Sequence, residues 1–352
     1  MKLQQLESQL GEIEFRKKLI QQQVDGAQIF EDEFDRKGIE EILNRRMQKT
    51  FEQINALKEK GIPVSPYLEI GAERGQRSLI MENEVGATGA AVDLSYDMLK
   101  SCEYYQKVFN KKNMPARICC DANFLPFASD SIAFVFCYET LHHFPDPTPI
   151  IKEIHRVLAP AGCFFFDEEP YKRVLHFDLY ESKKIYSAEY RSAGLFRKTM
   201  DYFFARHSCN ETEHDIIENE EIQLQTWKRA LSVFDNKDIA LQSLKNHLRT
   251  ELFSSNNYLK YFGAYLFGGN ISGVCRKSGV NTNAVKTVQD ALICPSCLMD
   301  ALETSLTACD SGYLCRRCNK LFPLFDGIIF LLSHEKLAKL YSEIFENANT
   351  SR

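Results

Sequence analysis

The chain has 352 residues, of which 44% are hydrophobic and 26% are charged, a balance typical of a folded protein with a full core. Its 43 basic and 48 acidic side chains give a formal net charge of -5, which argues against a general surface for polyanions. No apolar stretch approaches the roughly 20 residues that cross a bilayer, and the first residues predict a charged helix rather than a secretion signal. We therefore expect a cytoplasmic protein with one large domain and one small domain.

Residues 1–62 predict an N-terminal helical segment, because Leu, Gln, Glu and Lys dominate and no proline precedes Pro63. Apolar residues in this segment recur at heptad spacing, interrupted once by Lys17. They are Leu3, Leu6, Leu10, Ile13, Ile20 and Val24. Three heptads are few for a coiled coil, so this face either packs against the chain's own domain or pairs with a second copy in a homodimer.

Short apolar runs alternate with helix-like stretches between residues 66 and 166. The runs read YLEI, GAAVD, ARICC, IAFVF and CFFF, and the helix-like stretches include residues 74–84, 96–109 and 147–158. Short strands separated by amphipathic helices are typical of an α/β fold with a doubly wound, mostly parallel sheet.

The pattern changes after Pro170. Residues 171–255 are charged and aromatic and predict a helical insertion. Two further strands are expected in YLKYFGAYLFGG and ISGVCRK, joined by a hairpin at the glycine pair Gly268-Gly269. Residues 278–290 are polar and predict a linker.

Two glycines, Gly71 and Gly75, lie on the turn that follows the first predicted strand. A dinucleotide fingerprint requires glycine at relative positions one, three and six, but Glu73 and Gln76 occupy the third and sixth. The loop therefore favours a ligand that has no pyrophosphate, and S-adenosylmethionine is such a ligand.

Three carboxylates follow successive predicted strands. Glu69 ends the first, Asp93 ends the second, and Asp121 follows the third. The carboxyl ends of parallel strands share one edge of a sheet, where ligands of open α/β folds bind. A carboxylate at Asp93 can accept the hydroxyl hydrogens of a ribose, and Asp121 can lie at the edge of an adenine.

These motifs resemble the class I S-adenosylmethionine-dependent methyltransferases, in the branch that includes enzymes of ubiquinone and menaquinone biosynthesis. The resemblance is carried by LEIGAERG (68–75), AAVDLSYDML (90–99), CDANFLPFASDSIAFVF (120–136), ETLHHFPDP (139–147) and EIHRVLAPAGCFFFDEEP (153–170). It implies a Rossmann-like, seven-stranded, mostly parallel sheet and a methyltransferase domain over residues 63–277, with the helical insertion as an acceptor lid.

The resemblance also implies a cofactor site. Its predicted residues are Glu69, Gly71, Ala72 and Gly75 around the methionine part, Asp93 at the ribose, Asp121 and Ala122 at the adenine, and additionally Leu94, Met98 and Tyr138. Glu73 departs from the family, which usually has glycine there. Either cofactor binding survives with Glu73 turned outward, or the domain is a scaffold without catalysis.

Residues that could assist methyl transfer follow the fourth and fifth predicted strands. His142 and His143 can titrate near neutrality, and Glu168 lies at the rim of the expected cleft. Each could instead be structural. Within the insertion, the aromatic and histidine side chains either line an acceptor pocket or form an ordinary core; they are Tyr186, Tyr190, Phe203 and His207.

The C-terminal region contains two CxxC pairs, CPSC at 294–297 and CRRC at 315–318. Such pairs on tight turns can hold a zinc ion through four thiolates, so we predict a structural zinc bound by Cys294, Cys297, Cys315 and Cys318. Residues 291–333 resemble the small zinc-ribbon proteins that activate methyltransferases by pairing a strand and covering apolar surface, and residues 334–352 predict a C-terminal helix.

Taken together, these features favour methyl transfer to an oxygen or nitrogen of a small molecule or biosynthetic intermediate. RNA or protein is the alternative acceptor, with the zinc ribbon helping to bind it. Residues 281–352 contain seven basic and eight acidic side chains, so RNA is not favoured.

Overall fold

The computed structural model describes residues 2–24, 36–182, 192–207, 219, 221–244, 247–253, 257–280 and 285–350. The helices within these ranges are α1 (Lys2–Val24), α2 (Arg36–Glu59), α3 (Gln76–Ile80), α4 (Tyr96–Val108), α5 (Thr148–Val157), α6 (Leu195–Phe204), α7 (Leu224–Ala230), α8 (Tyr258–Phe267), α9 (Pro295–Leu298), α10 (His334–Leu340) and α11 (Ser342–Thr350). None of the helices in the described part of the chain is long and apolar enough to cross a membrane.

The strands are β1 (Tyr67–Ile70), β2 (Gly89–Asp93), β3 (Ala116–Cys120), β4 (Ile132–Tyr138), β5 (Leu158–Tyr171), β6 (Tyr180–Ser182), β7 (Ala205–His207), β8 (Asn236–Ser243), β9 (Leu248–Glu251), β10 (Gly269–Arg276), β11 (Thr307–Cys309), β12 (Gly312–Cys315), β13 (Lys320–Phe325) and β14 (Ile328–Leu331). Twelve of them form one sheet in the order β11-β12-β13-β14-β3-β2-β1-β4-β5-β10-β8-β9, and β6 pairs with β7 separately.

The α/β fold expected from the sequence is confirmed, but the count of seven strands and the mostly parallel sheet are not. Among the described residues, the large sheet has five parallel and six antiparallel strand pairs. The strands beyond the expected seven lie at the two edges of the sheet. At one edge β14 pairs in parallel with β3 and is followed outward by β13, β12 and β11. At the other edge β9 pairs with β8.

Large side chains fill both faces of the central strands. Phe134 and Phe136 of β4 and Phe164 and Phe166 of β5 are all fully buried. Trp227 of α7 stacks on Phe166 with a centroid separation of 6.0 Å. Strands that are covered on both faces read as continuous apolar runs, which is why the sequence predicted them correctly.

The N-terminal helix packs against the chain's own core. Leu6, Leu10 and Ile13 of α1 belong to the same apolar cluster as Phe330 of β14 and Leu337 of α10. This is the first of the two arrangements that the heptad pattern allowed. Leu6, Leu10 and Ile13 are thus covered within the chain, and the homodimer stays a prediction.

The predicted insertion and hairpin need correction. Residues 171–255 contain the strands β6–β9 as well as α6 and α7, and the predicted strand at YLKYFGAYLF is the helix α8. The Asn257 side chain accepts a hydrogen bond from the Lys260 amide and so caps α8 at its start. The true neighbours of β10 in the sheet are β5 and β8.

Candidate active site

A cleft lies at the carboxyl ends of β1 to β4 and is covered by α1 and α2. The residues that line it are Ser8, Gln9, Glu12, Arg16, Arg46, Ile70, Gly71, Glu73, Arg77, Val92, Asp93, Leu94, Met98, Cys120, Asp121, Ala122, Asn123, Tyr138, Glu139, Thr140, His143, Phe144 and Pro145. The structure therefore brings seven of the ten predicted cofactor residues into one cleft: Gly71, Asp93, Leu94, Met98, Asp121, Ala122 and Tyr138.

The other three predicted residues, Glu69, Ala72 and Gly75, are buried and do not line the cleft. Glu69 is 1% exposed and accepts a hydrogen bond from Ser78 Oγ at 2.6 Å. Burial raises the pKa of Glu69 to about 7.

The turn after β1 has an unusual backbone. Gly71, Glu73 and Gly75 all have positive φ angles, of 66°, 45° and 67°. A Cβ atom at Gly71 would lie 2.5 Å from Thr140 Oγ1, so this position requires glycine. The loop can therefore approach the end of β4 closely.

Glu73 does not turn away from the cleft. Its carboxylate pairs with Arg16 of α1 and Arg46 of α2, each at 3.3 Å, and Arg46 also pairs with Glu139 at 2.9 Å. Burial raises the pKa of Glu73, but the two arginines outweigh it and lower the pKa to about 2. Glu73 thus contacts both N-terminal helices through ion pairs.

Asp93 fixes the loop through its carboxylate. The backbone amides of Glu73 and Ser95 donate to its two oxygens, each at 2.8 Å. Burial raises the pKa of Asp93 to about 6. Because each carboxylate oxygen has two lone pairs, Asp93 still has room to accept hydroxyl hydrogens.

Asp121 is 6% exposed and accepts more bonds than Asp93. The amide and side-chain nitrogens of Asn123 donate to its Oδ1, each at 2.9 Å, while Gln9 and Lys336 donate to Oδ2. Burial raises the pKa of Asp121, but the Lys336 ammonium and the bonds from Asn123 outweigh it and lower the pKa. A carboxylate with these partners stays ionised.

The predicted catalytic residues have different surroundings. His143 lines the cleft, whereas His142 Nδ1 lies 3.0 Å from Glu169. Glu169 is fully buried and also accepts bonds from three successive amides, of Thr140, Leu141 and His142. Glu168 pairs with Lys49 at 2.8 Å and is not a lining residue. Only His143 of the three thus faces the cleft.

The sequence did not single out three arginines that line the cleft, Arg16, Arg46 and Arg77. Arg77 is 4% exposed, and its guanidinium lies 4.2 Å from the centre of the Tyr138 ring. Its place in RGQRS, directly after the glycine loop, was a usable signal. No local pattern marked the other two, because they reach Glu73 only in the folded chain.

Among the predicted acceptor-pocket residues that the structure describes, Phe203 and His207, neither lines the cleft. Tyr186 and Tyr190 lie outside the described residues. Phe203 packs edge-on against Tyr202 at 5.1 Å, and His207 ends β7. Phe203 therefore belongs to local aromatic packing.

Four cysteines meet in the C-terminal region as the sequence predicted. The sulfurs of Cys294, Cys297, Cys315 and Cys318 all lie within 4.8 Å of one another. The Sγ atoms of Cys294 and Cys318 are 3.6 Å apart, and those of Cys297 and Cys315 are 3.8 Å apart. Cys309 is exposed and outside the cluster.

Comparison with known proteins agrees with the central part of this description. Residues 68–166 match the family model described as a methyltransferase domain. An uncharacterized chloroplastic methyltransferase of Arabidopsis thaliana is 38% identical over 77 residues, or 21% of this chain and 22% of that protein. The methyltransferase GfsG of Streptomyces halstedii is 26% identical over 95 residues, or 27% of this chain and 34% of that protein.

Solved structures are similar to this chain at low sequence identity. A complex of the Haloferax volcanii Trm112 methyltransferase activator with a methyltransferase has 15% identity and a TM-score of 0.38, covering 66% of this chain and 94% of that one. The chain spans about a fifth to a third of the length of the curated relatives named above. The matched methyltransferase domain covers residues 68–166 and leaves the rest of the chain outside the match.

Proposed function

We propose that the chain is an S-adenosylmethionine-dependent methyltransferase that acts on an oxygen or nitrogen of a small-molecule acceptor. The observation that carries the proposal is the meeting of Gly71, Asp93 and Asp121 at adjacent strand ends of a methyltransferase domain. We favour a small-molecule acceptor over RNA because the chain has no excess of basic side chains, and binding of RNA phosphates needs such an excess.

The chemistry of the cleft fits such a cofactor. Asp93 retains lone pairs for the two ribose hydroxyls, and Asp121 with Ala122 would hold the adenine end. Gly71 brings backbone close to the methionine end, where Arg77 supplies a buried cation for a carboxylate. When bound, the cofactor supplies a methyl group on a sulfonium that a nucleophile can attack.

Three residues are assigned to the acceptor side. We propose His143 as the group that can take a proton from the acceptor, because it is the one of the three that lines the cleft. His142 positions this turn through Glu169. Glu168 would contribute charge to the rim together with Lys49.

We also propose a structural zinc ion in the cysteine cluster. Tetrahedral thiolates with zinc–sulfur bonds of about 2.3 Å lie about 3.8 Å apart. Two of the sulfur–sulfur separations, 3.6 and 3.8 Å, match this value, and all of them lie within 4.8 Å. A zinc bound there supplies folding energy to residues 291–333.

Calorimetric titration with S-adenosylmethionine and with its demethylated product, beside a zinc assay on the same sample, tests both assignments. We expect micromolar binding of both ligands and one zinc per chain. Zinc without cofactor binding would instead favour the scaffold without catalysis. Turnover that requires RNA and falls steeply with salt would favour the RNA methyltransferase.

A further inference from the structure

The C-terminal segment, residues 285–350, reaches the cofactor cleft through the sheet. β14 runs parallel to β3, with Leu331 beside Cys120, so both strands end at the same edge. Asp121 follows β3 directly. The chain leaving β14 starts α10 at His334, capped by Ser333, whose Oγ accepts a hydrogen bond from the Lys336 amide. Because of this register between β14 and β3, the first turn of α10 lies next to Asp121.

Three side chains from distant parts of the sequence meet at this point. Lys336 Nζ forms an ion pair with Asp121 Oδ2 and donates to Gln9 Oε1 at 3.2 Å. Gln9 Nε2 in turn donates to the same carboxylate oxygen at 3.2 Å. Each member of this triangle of Gln9, Asp121 and Lys336 is bonded to the other two.

The triangle saturates Asp121. A carboxylate has about four acceptor positions. Asn123 fills two of them through its amide and its side chain, and Gln9 and Lys336 fill the other two. Because Asp121 is 6% exposed, a further donor can reach it only if one of these partners leaves.

A second contact joins the same segment to the ribose end of the cleft. The Tyr341 hydroxyl donates to the Leu94 carbonyl at 2.7 Å and accepts from the Tyr96 amide at 3.1 Å. Leu94 directly follows Asp93 and lines the cleft. Both ends of the proposed nucleoside position are therefore in contact with residues 334–341.

We propose that Lys336 and Gln9 compete with the nucleoside of the cofactor for Asp121, so that cofactor binding displaces Lys336 from this carboxylate. The inference rests on the proposed function, because it requires the cofactor to enter this cleft. The adenine amino group is a neutral donor, and to bond Asp121 it must replace the charge-assisted hydrogen bond from Lys336, which is the stronger of the two. Lys336 thus lowers cofactor affinity and makes it depend on the position of the C-terminal segment.

The test is calorimetry on the full chain with S-adenosylmethionine and with 5′-methylthioadenosine, a nucleoside that lacks the amino-acid end. Lys336→Met keeps the length of the side chain and removes its charge. We expect it to tighten binding of both ligands about tenfold, the equivalent of one charge-assisted bond. Lys339→Met is the matched control, because Lys339 is exposed on the same helix and pairs with Glu335; its affinities should stay unchanged.

The other outcomes separate the two proposals. If the wild type binds S-adenosylmethionine and Lys336→Met binds it equally or more weakly, the competition is overturned and the proposed function stands. If neither protein binds it, the proposed function fails, and the competition fails with it. Gln9→Leu removes another partner of Asp121 and should tighten binding of S-adenosylmethionine by a smaller factor. This variant replaces Lys336→Met in the test if Lys336→Met does not fold. An affinity equal to that of the wild type would then overturn the competition.

Discussion

Residues 68–166 and residues 285–350 share one sheet but are stabilised in different ways. The first region fills its interior with large apolar side chains such as Phe134 and Phe166, both fully buried. In the second, β11 is exposed along its whole length, and Leu324 and Phe325 are 46% and 39% exposed. We expect the proposed zinc site to contribute to the stability of the second region.

The second region compensates by joining the core of the first. All four residues of β14 are buried, and Phe330 contacts Tyr96 of α4 with ring centres 5.6 Å apart. The strand also adds a parallel neighbour to β3, which would otherwise be an edge strand. Residues 285–350 are thus joined to the first region through the sheet and through apolar contacts.

The largest expected effect follows from removing one cluster thiol. Cys297→Ser should prevent stable binding at the proposed zinc site and destabilise residues 285–350 by several kcal/mol, because binding of a structural zinc ion is coupled to folding. Hydrogen exchange of β12–β14 measures the loss. Cys309→Ser is the control, since Cys309 is exposed and outside the cluster. Equal protection in both variants would show that the thiols do not stabilise the module.

The second largest effect is expected at Asp93, in the cleft of the first region where we propose that the cofactor binds. Asp93→Ala should weaken S-adenosylmethionine binding at least about a hundredfold, because it removes the acceptor for the ribose and frees the Glu73 amide. Calorimetry measures this change. Asp97→Ala changes a carboxylate four residues away that does not line the cleft, and its affinity should match the wild type. A normal affinity for Asp93→Ala would remove Asp93 from the cofactor site.

The third effect is a pH dependence from the buried carboxyl of the first region. The pKa of Glu69 is about 7 in the fold against 4.5 for an ordinary glutamate. The stability that its proton provides is therefore complete below pH 4.5 and is lost as pH rises through 7. Glu69→Gln should stabilise the ligand-free protein on the order of 2 kcal/mol at pH 8 and change little at pH 4.5.

Urea unfolding at the two pH values measures this difference. Glu84→Gln is a suitable control, because Glu84 is an exposed glutamate on the stretch that follows α3. A Glu69→Gln variant with the same pH dependence as the wild type would contradict the raised pKa.

The smallest effect concerns the contact between the first region and the N-terminal helices. Glu73→Gln removes the pairs with Arg16 and Arg46, which are 13% and 31% exposed, so we expect a loss of about 1 kcal/mol. Faster hydrogen exchange in residues 2–24 would show it. Glu52→Gln changes an exposed glutamate of α2 and should leave that exchange unchanged. Unchanged exchange in Glu73→Gln would mean that apolar packing alone holds α1.

The elements that the sequence predicted well have strong local signals. The stretches 96–109 and 147–158 became α4 and α5 within one residue at each end, and Ser95 caps α4 through its side chain. The stretch 74–84 was less accurate, since α3 covers Gln76–Ile80 and continues as a π-helix over Met81–Val85.

The sequence was weakest where a strand next to the sheet edge alternates polar and apolar residues in a charged region. β8 has the burial pattern of a strand with one covered face, but its sequence NKDIALQS offers few apolar residues to reveal it. The aromatic run of α8 looked like a strand because aromatic residues favour strands, and only its Asn257 cap pointed to a helix. Tertiary packing decided both cases.

The sequence by itself determined the strand ends that carry Gly71, Asp93 and Asp121, and the cysteine spacing that brings four sulfurs together, because these depend on short-range periodicity and turns. Only the tertiary structure decided which cations pair with the carboxylates of Glu73 and Asp121. Arg16 reaches Glu73 across 57 residues, and Lys336 reaches Asp121 across 215. A charged residue on a helix surface has no local signal of its partner, and here the pairing of β14 with β3 and the packing of α1 chose the partners.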